Sequence, residues 1–201
     1  SKLWKNKKSE NHWDEPVGEE DLSTWHSLSK ELNKLDELEF PRFTLSEDKP
    51  TTLILYCDAS KSAFGYVGYA VQEGTSCNLL AKTKVAPVKN KTLPTLELMA
   101  VSLAYKALFN IFKTYKNVRF SNVFVASDAQ IIISWLLSDT VKTKNLFARN
   151  RIKDVHRMHK ELIEEFKVPI QIKYVATHEN PGDLITRGLS RGFQKAPQLL
   201  D

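Results

Sequence analysis

"LPTLELMAVSLAYKAL" (residues 93–108) predicts the central helix of this protein. Its apolar residues recur every three or four positions, a spacing that places them on one buried face of an α-helix. Glu97 lies directly beside this apolar stripe, in register with Val101 and Ala104. Because burying an unpaired carboxylate is costly, Glu97 needs a partner elsewhere in the fold.

The segments on both sides of this helix predict an α/β fold with a five-stranded mixed sheet. A three-strand antiparallel meander comes first, with a hairpin turn at "EGTS" (73–76), and parallel strands alternating with flanking helices follow. "TLILYC" is a continuous apolar run, as expected for a strand covered on both faces. The predicted strands are residues 52–57, 63–72, 77–86, 122–127 and 170–175, and the predicted helices are residues 94–115, 128–138, 145–166 and 180–190.

The beginning of the chain differs from the rest. Residues 1–50 predict an N-terminal connection segment with one amphipathic helix, which is capped by Asp21 or Ser23 and whose apolar stripe extends from Leu22 to Leu38. Prolines then interrupt the helical periodicity, and the main domain is predicted to span residues 51–201. The narrow apolar stripe of the N-terminal helix requires a partner.

Composition excludes several classes of protein. The chain has 201 residues, of which 42% are hydrophobic, so it can form one compact domain with an appendage or two small domains. It contains no uninterrupted apolar run long enough to predict a membrane span or signal peptide. Cys57 and Cys77 lack the spacing of a zinc site or disulfide framework. We therefore expect an intracellular protein, in cytoplasm or nucleus, without a membrane partner.

The net charge of +5 is unevenly distributed. Residues 141–160 contain seven Lys and Arg residues against the single acid Asp154. This segment could contact a phosphate backbone. Solvation of the outer face of a helix explains the same charges equally well, so the count alone leaves both interpretations open.

Four acidic side chains are predicted to lie at the same edge of the sheet. Asp58 follows the first strand and Asp128 follows the fourth, so their carboxylates emerge side by side if these strands are parallel neighbours. Asp183 lies at the start of the last helix, where it can reach the same edge, and Glu97 faces the sheet. Taken one at a time, each aspartate also has a purely structural explanation. Asp58 could be a turn residue, Asp128 could interact with the dipole of the following helix, and Asp183 could form a capping box with Asn180.

A bound metal would explain all four acids together. Clustered carboxylates repel one another and raise each other's pKa unless a cation neutralises them. Hard oxygen ligands without Cys point to Mg²⁺ or Mn²⁺ rather than Zn²⁺. Two such ions would serve the in-line hydrolysis of a phosphodiester.

Several motifs resemble one known family. "YCDASKSAFGYVGY", "LLAKTKVAPVKNKTLPTLELMA", "SDAQIIISWL", "ARNRIKDV" and "ENPGDLITRGLS" resemble the ribonuclease H region of Bel/Pao-type LTR retrotransposon polyproteins. The segment "HWDEPVGEEDLSTWHSLSKELNKLDELEFPRF" (residues 12–43) is similar to the part of the same polyproteins that joins reverse transcriptase to the ribonuclease H region. One departure is Ala129, where the ribonuclease H pattern usually places Ser after the third carboxylate.

The resemblance implies a ribonuclease H-like fold and endonucleolytic cleavage of the RNA strand of RNA–DNA hybrids. It implies two Mg²⁺ ions, replaceable by Mn²⁺, and the reverse transcriptase portion of the same polyprotein as a further partner. The alternative is a catalytically silent, domesticated module that binds protein or nucleic acid. The implied catalytic and metal-binding residues are Asp58, Glu97, Asp128 and Asp183, the substrate-binding candidates are Ser60, Gln130, Arg149, Asn150 and Arg151, and the candidate for assisting product release is His178.

Overall fold

The computed structural model consists of two compact units, Ser1–Arg42 and Phe43–Asp201. The predicted division of the chain at residue 50 stays a prediction. The structure describes residues 16–33, 45–87, 91–138 and 143–187.

The first unit contains helix α1 (Glu19–Leu32). This helix begins immediately after Gly18, whose carbonyl accepts the N–H of Leu22, so the predicted start at Asp21 or later is wrong. Three acids in the first turn favour the earlier start because negative charge is stabilised near a helix N-terminus. The end predicted at Leu38 lies outside the described residues. The exposed apolar residues of α1 are Leu22, Trp25, Leu28 and Leu32.

The second unit is built on a five-stranded mixed sheet with the order β3-β2-β1-β4-β5. Strands β1, β2 and β3 form an antiparallel meander, and β4 pairs in parallel with both β1 and β5. The predicted fold class is therefore confirmed. The strands are β1 (Thr51–Ala59), β2 (Ala63–Gln72), β3 (Thr75–Val85), β4 (Phe120–Ser127) and β5 (Ile170–Tyr174).

Strand β1 is the centre of the sheet and extends beyond the predicted residues 52–57. All of its residues except Thr52 are buried, as expected for an apolar strand covered on both faces. Because β1 continues to Ala59, Asp58 lies within the strand, opposite Gly65 of β2, rather than in the turn that follows. The sheet itself thus holds the Asp58 backbone.

The hairpin between β2 and β3 is tighter than predicted. Gln72 pairs with Thr75, so the turn contains only Glu73 and Gly74 instead of four residues. Both adopt left-handed backbone angles, with φ of 49° and 76° respectively. Two left-handed residues match the right-handed twist of the flanking strands, which allows β3 to begin at Thr75.

Helix α2 (Leu93–Thr114) is the core helix of the second unit. It is long and apolar enough to cross a membrane by length and composition, but 72% of its most apolar stretch is buried inside the protein. Leu98, Tyr105 and Leu108 are completely buried within the main core. The other helices are α3 (Gln130–Leu137), α4 (Leu146–Phe166) and α5 (Gly182–Arg187), with a 3₁₀ turn at Thr177–Glu179.

Helix α4 has a well-defined beginning and one apolar face. The side chain of Asn145 accepts a hydrogen bond from the Ala148 N–H at 3.2 Å and caps the helix. Ile152, Val155 and Leu162 are fully buried in the main core. The basic residues of α4 lie mainly on its outer side: Arg149, Lys153, Arg157 and Lys160 are exposed, and Arg151 is half-buried.

Candidate metal centre

Three carboxylates from three elements meet at the C-terminal edge of the parallel strands. They belong to Asp58 in β1, Glu97 in the first part of α2 and Asp128 directly after β4. One oxygen from each lies within 4.8 Å of the others. The parallel pairing of Cys57 with Ser127 places the two aspartates side by side. Three carboxylate oxygens at this separation are able to hold a cation that prefers oxygen ligands.

Glu97 is held in this group by the packing of α2 against the sheet. Its side chain is only 7% exposed, which agrees with its position beside the apolar stripe. The backbone N–H of Ala59 reaches the Glu97 carboxylate. Oxygen Oε2 is nevertheless buried and has no hydrogen-bond partner among the described residues. An orphaned carboxylate oxygen facing two other acids fits a bound cation.

The pKa values of these carboxylates also fit a bound cation. Burial, followed by the charges of Asp58 and Asp128, raises the pKa of Glu97 to about 9. Burial also raises the pKa of Asp58 to about 6, with contributions from Asp183 and Asp128 and an opposing hydrogen bond from Thr186. Without a cation, the folded protein therefore retains protons that isolated carboxylates would release.

Asp183, the fourth predicted carboxylate, lies outside the group of three. Its Oδ1 is 3.0 Å from Nη2 of Arg187, one turn later in α5. It remains close enough for its charge to raise the pKa of Asp58 and Glu97. Asp183 is thus ion-paired with Arg187 beside the group of three, and its predicted part in binding a metal stays a prediction. The four-residue spacing from Asp183 to Arg187 is a helical ion-pair pattern that the sequence already contained.

Asn180 connects the acids to helix α5, a role that the sequence analysis missed. The side chain is 4% exposed. Its Nδ2 donates to the carbonyl of Cys57 at 3.0 Å and to Oδ1 of Asp128 at 3.3 Å. Its Oδ1 accepts the N–H of Gly182 at 3.0 Å. The predicted capping position was the only local signal, because the other two partners are distant in sequence.

Helix α5 packs closely against β1. A Cβ at Gly182 would lie 2.9 Å from Cβ of Asp58 and 2.9 Å from Oδ1 of Asn180, so glycine permits this approach. Thr186, which the sequence analysis also missed, donates its hydroxyl to Oδ2 of Asp58. Ser60 Oγ in turn donates to the Thr186 carbonyl at 3.1 Å. The Ser60 hydroxyl thus anchors α5, and its contact with substrate stays a prediction.

The other predicted substrate residues lie at helix starts. Gln130 is exposed two residues after Asp128, and Asn150 is exposed in the first turns of α4. Arg149 is also exposed, and its Nη2 donates to the carbonyl of Thr143 at 3.1 Å. The contacts of these residues with substrate stay predictions.

Arg151 and His178 occupy contrasting environments. The Arg151 side chain is only 26% exposed, and its Cζ lies 5.3 Å from the centroid of the Phe147 ring. The His178 side chain is 82% exposed in the 3₁₀ turn before α5, with Nε2 3.8 Å from Oε1 of Glu179. The predicted part of His178 in product release stays a prediction.

Replacing Asn180 with Ala is expected to lower both the stability of the protein and its affinity for a divalent cation. The change removes three hydrogen bonds and leaves buried backbone groups unpaired, a loss of about 1–3 kcal/mol. Loss of the bond to Asp128 should weaken cation binding about 10–100-fold, as for other residues that orient metal ligands. Urea unfolding and calorimetric titration with Mg²⁺ measure the two effects. The exposed His178→Ala variant is the stability control, and an unchanged free energy of unfolding in Asn180→Ala would contradict the assignment.

A sheet of order β3-β2-β1-β4-β5, with acids at the ends of its central parallel strands, defines a ribonuclease H-like domain. The chain belongs to the Pao retrotransposon-like RNaseH-like domain family, whose model matches residues 1–129. The matched part contains Asp58, Glu97 and Asp128 but ends before Asn180. The connection of α5 to the acids therefore comes from the structure alone.

Comparison with solved structures finds further similarity. RNase H1 from the halophilic archaeon Halobacterium salinarum is 14% identical, with a TM-score of 0.46 over 69% of this chain and 95% of that one. An N-terminal RNase H domain from Mycobacterium tuberculosis, fused to maltose-binding protein, is 14% identical, with a TM-score of 0.49 over 68% and 91%. A foamy viral protease-reverse transcriptase in complex with an RNA/DNA hybrid is 13% identical, with a TM-score of 0.42 over 74% and 20%. No curated protein matches the chain.

Proposed function

We propose that this protein is a metal-dependent endonuclease that hydrolyses the RNA strand of RNA–DNA hybrids. The observation that carries the proposal is the group formed by Asp58, Glu97 and Asp128, in which the buried Oε2 of Glu97 has no hydrogen-bond partner among the described residues. Membership of a retrotransposon-like RNaseH-like family supports this class of substrate. A structural role alone would leave the close approach of three acids unexplained.

We propose Mg²⁺ as the cofactor, as two ions for which Mn²⁺ can substitute. Asp58, Glu97 and Asp128 would hold the metal, with Asp183 close by. When bound, the metal supplies an activated water and stabilises the charge that develops on the phosphate oxygens. Oxygen-only ligands favour these ions over softer metals.

The chain's own residues would orient these ligands. Thr186 donates its hydroxyl to Oδ2 of Asp58, and this hydrogen bond would orient that carboxylate. Asn180 donates to Oδ1 of Asp128 in the same way. Both donors lie in or next to α5, which is held to the sheet by Ser60. The outer hydrogen bonds therefore fix the direction of the ligand oxygens before any substrate arrives.

Substrate recognition is proposed to depend on the RNA strand rather than on base sequence. The 2′-hydroxyl and groove shape distinguish a hybrid from duplex DNA. The exposed side chains of Gln130, Arg149 and Asn150 are the proposed contacts. The reverse transcriptase portion of the same polyprotein is a further proposed partner.

An end-labelled RNA–DNA hybrid provides the test of this function. We expect internal cleavage of the RNA strand with Mg²⁺ or Mn²⁺, and none with a chelator, because the carboxylates need a cation to act on phosphate. Duplex DNA and duplex RNA of the same sequence are the matched controls and should stay intact. Failure to cut the hybrid with either ion would refute the proposal and favour the silent binding module.

A further inference from the structure

Helix α5 ends in an ion pair beside the three carboxylates. Nη2 of Arg187 lies 3.0 Å from Oδ1 of Asp183, whose side chain is only 13% exposed. The Arg187 side chain is 45% exposed. No other ion pair between residues that the structure describes includes any of the four predicted carboxylates. Within the described part of the chain, Arg187 is thus the cation that contacts these acids.

The position of α5 depends on hydroxyl groups rather than on this ion pair. Thr186 donates to Oδ2 of Asp58, and Ser60 donates to the Thr186 carbonyl at 3.1 Å. Thr83 of β3 donates to the Ile185 carbonyl at 3.2 Å. An ion pair between residues four apart on a helix adds little stability when one partner is open to solvent. The pair therefore fits a role in the charge balance of the site better than a role in holding the helix.

The negative charge of Asp183 acts on the neighbouring acids. It contributes to the raised pKa of both Asp58 and Glu97. When no metal is bound, the guanidinium of Arg187 offsets part of this repulsion. A divalent cation at the same carboxylate would lie next to the guanidinium, and two positive charges repel each other. The guanidinium and a metal ion therefore compete for Asp183.

We propose that Arg187 makes Asp183 a weak second cation site by competing with the metal for this carboxylate. The inference rests on the proposed function, because it concerns the metal ions that the acids would hold. The group of three has no such ion pair among the described residues, so it takes the first cation. A second cation binds at Asp183 only by separating the ion pair. Arg187 thereby sets the cation concentration at which the second ion binds.

A titration of the full chain with Mn²⁺, without nucleic acid, tests this inference. Free Mn²⁺ is measured by electron paramagnetic resonance. The unmodified chain should show one tighter and one weaker site. Arg187→Gln should strengthen the weaker site about tenfold, because it removes one adjacent positive charge, and should leave the tighter site nearly unchanged. Arg187→Lys keeps the charge and should bind the second ion almost as weakly as the unmodified chain.

Two further variants make the test specific. Arg157→Gln removes a matched ion pair, in which Nη1 of Arg157 lies 2.8 Å from Oε1 of Glu161 four residues later on α4. This control should not change Mn²⁺ binding. Asp183→Asn should remove the weaker site, and adding Arg187→Gln to it should then have no effect. If Arg187 only held α5 in place, Arg187→Gln would lower the melting temperature without strengthening either site, which would contradict the proposal.

An unchanged weaker site in Arg187→Gln, or equal gains in Arg187→Gln and Arg157→Gln, would overturn the inference. Melting temperatures in a chelator show that each variant is folded. Cleavage of the hybrid by the unmodified chain is measured separately. Cleavage together with a weaker site that does not depend on Arg187 would refute only this inference. The expected shift without any cleavage would support it and refute the nuclease, whereas absence of all Mn²⁺ binding would refute both.

Discussion

Replacing Glu97 with Gln should abolish hybrid cleavage while leaving the metal-free protein as stable as before, or more stable. The amide keeps the shape of the side chain but removes the charge that would bind the cation. It also removes a buried carboxylate that faces Asp58 and Asp128. Loss of activity without loss of stability distinguishes a functional acid from a structural one.

The measurements are initial cleavage rates with Mg²⁺ and urea unfolding with a chelator. Glu165→Gln, an exposed change of the same chemistry on α4, serves as the control and should affect neither quantity. If Glu97 were a structural partner, its replacement would destabilise the protein by about 1–3 kcal/mol. Destabilisation of that size together with retained cleavage would disprove the assignment of the metal site.

The second large effect is a fall in the stability of the metal-free protein as pH rises. The pKa of Glu97 is raised from 4.5 to about 9 in the folded protein. Between these values the folded state holds a proton that the unfolded chain has released, so rising pH favours unfolding. The slope for one such group reaches about 1.4 kcal/mol per pH unit. Asp58 adds a similar loss in the narrower range from 3.8 to about 6.

Urea unfolding at a series of pH values from 5 to 9 in a chelator (about one unit apart) measures this slope. Glu97→Gln isolates it, because the variant lacks the titrating group and should show a flatter profile above pH 6. Addition of Mg²⁺ should restore stability most strongly at high pH, where the cation replaces the bound proton. Parallel pH profiles for the two proteins would show that Glu97 does not titrate as proposed.

The order of elements and the place of the central acids could be predicted because both depend on local patterns. The apolar run of β1 indicated a central strand, and the helical periodicity of α2 showed Glu97 facing the core. Because β1 and β4 are parallel neighbours, Asp58 and Asp128 lie at the same edge of the sheet. Element ends were less predictable. The turn at Glu73 depends on a non-glycine residue with positive φ, which composition does not signal.

The sequence by itself indicated an α/β fold with a mixed sheet and four acids at the ends or starts of its elements, because apolar periodicity and element ends are local properties. Only the tertiary structure decided how those carboxylates are held. Asn180 and Thr186 form hydrogen bonds with residues 52 to 128 positions away in the sequence. Such contacts arise from the packing of α5 against the sheet, and no local pattern encodes them.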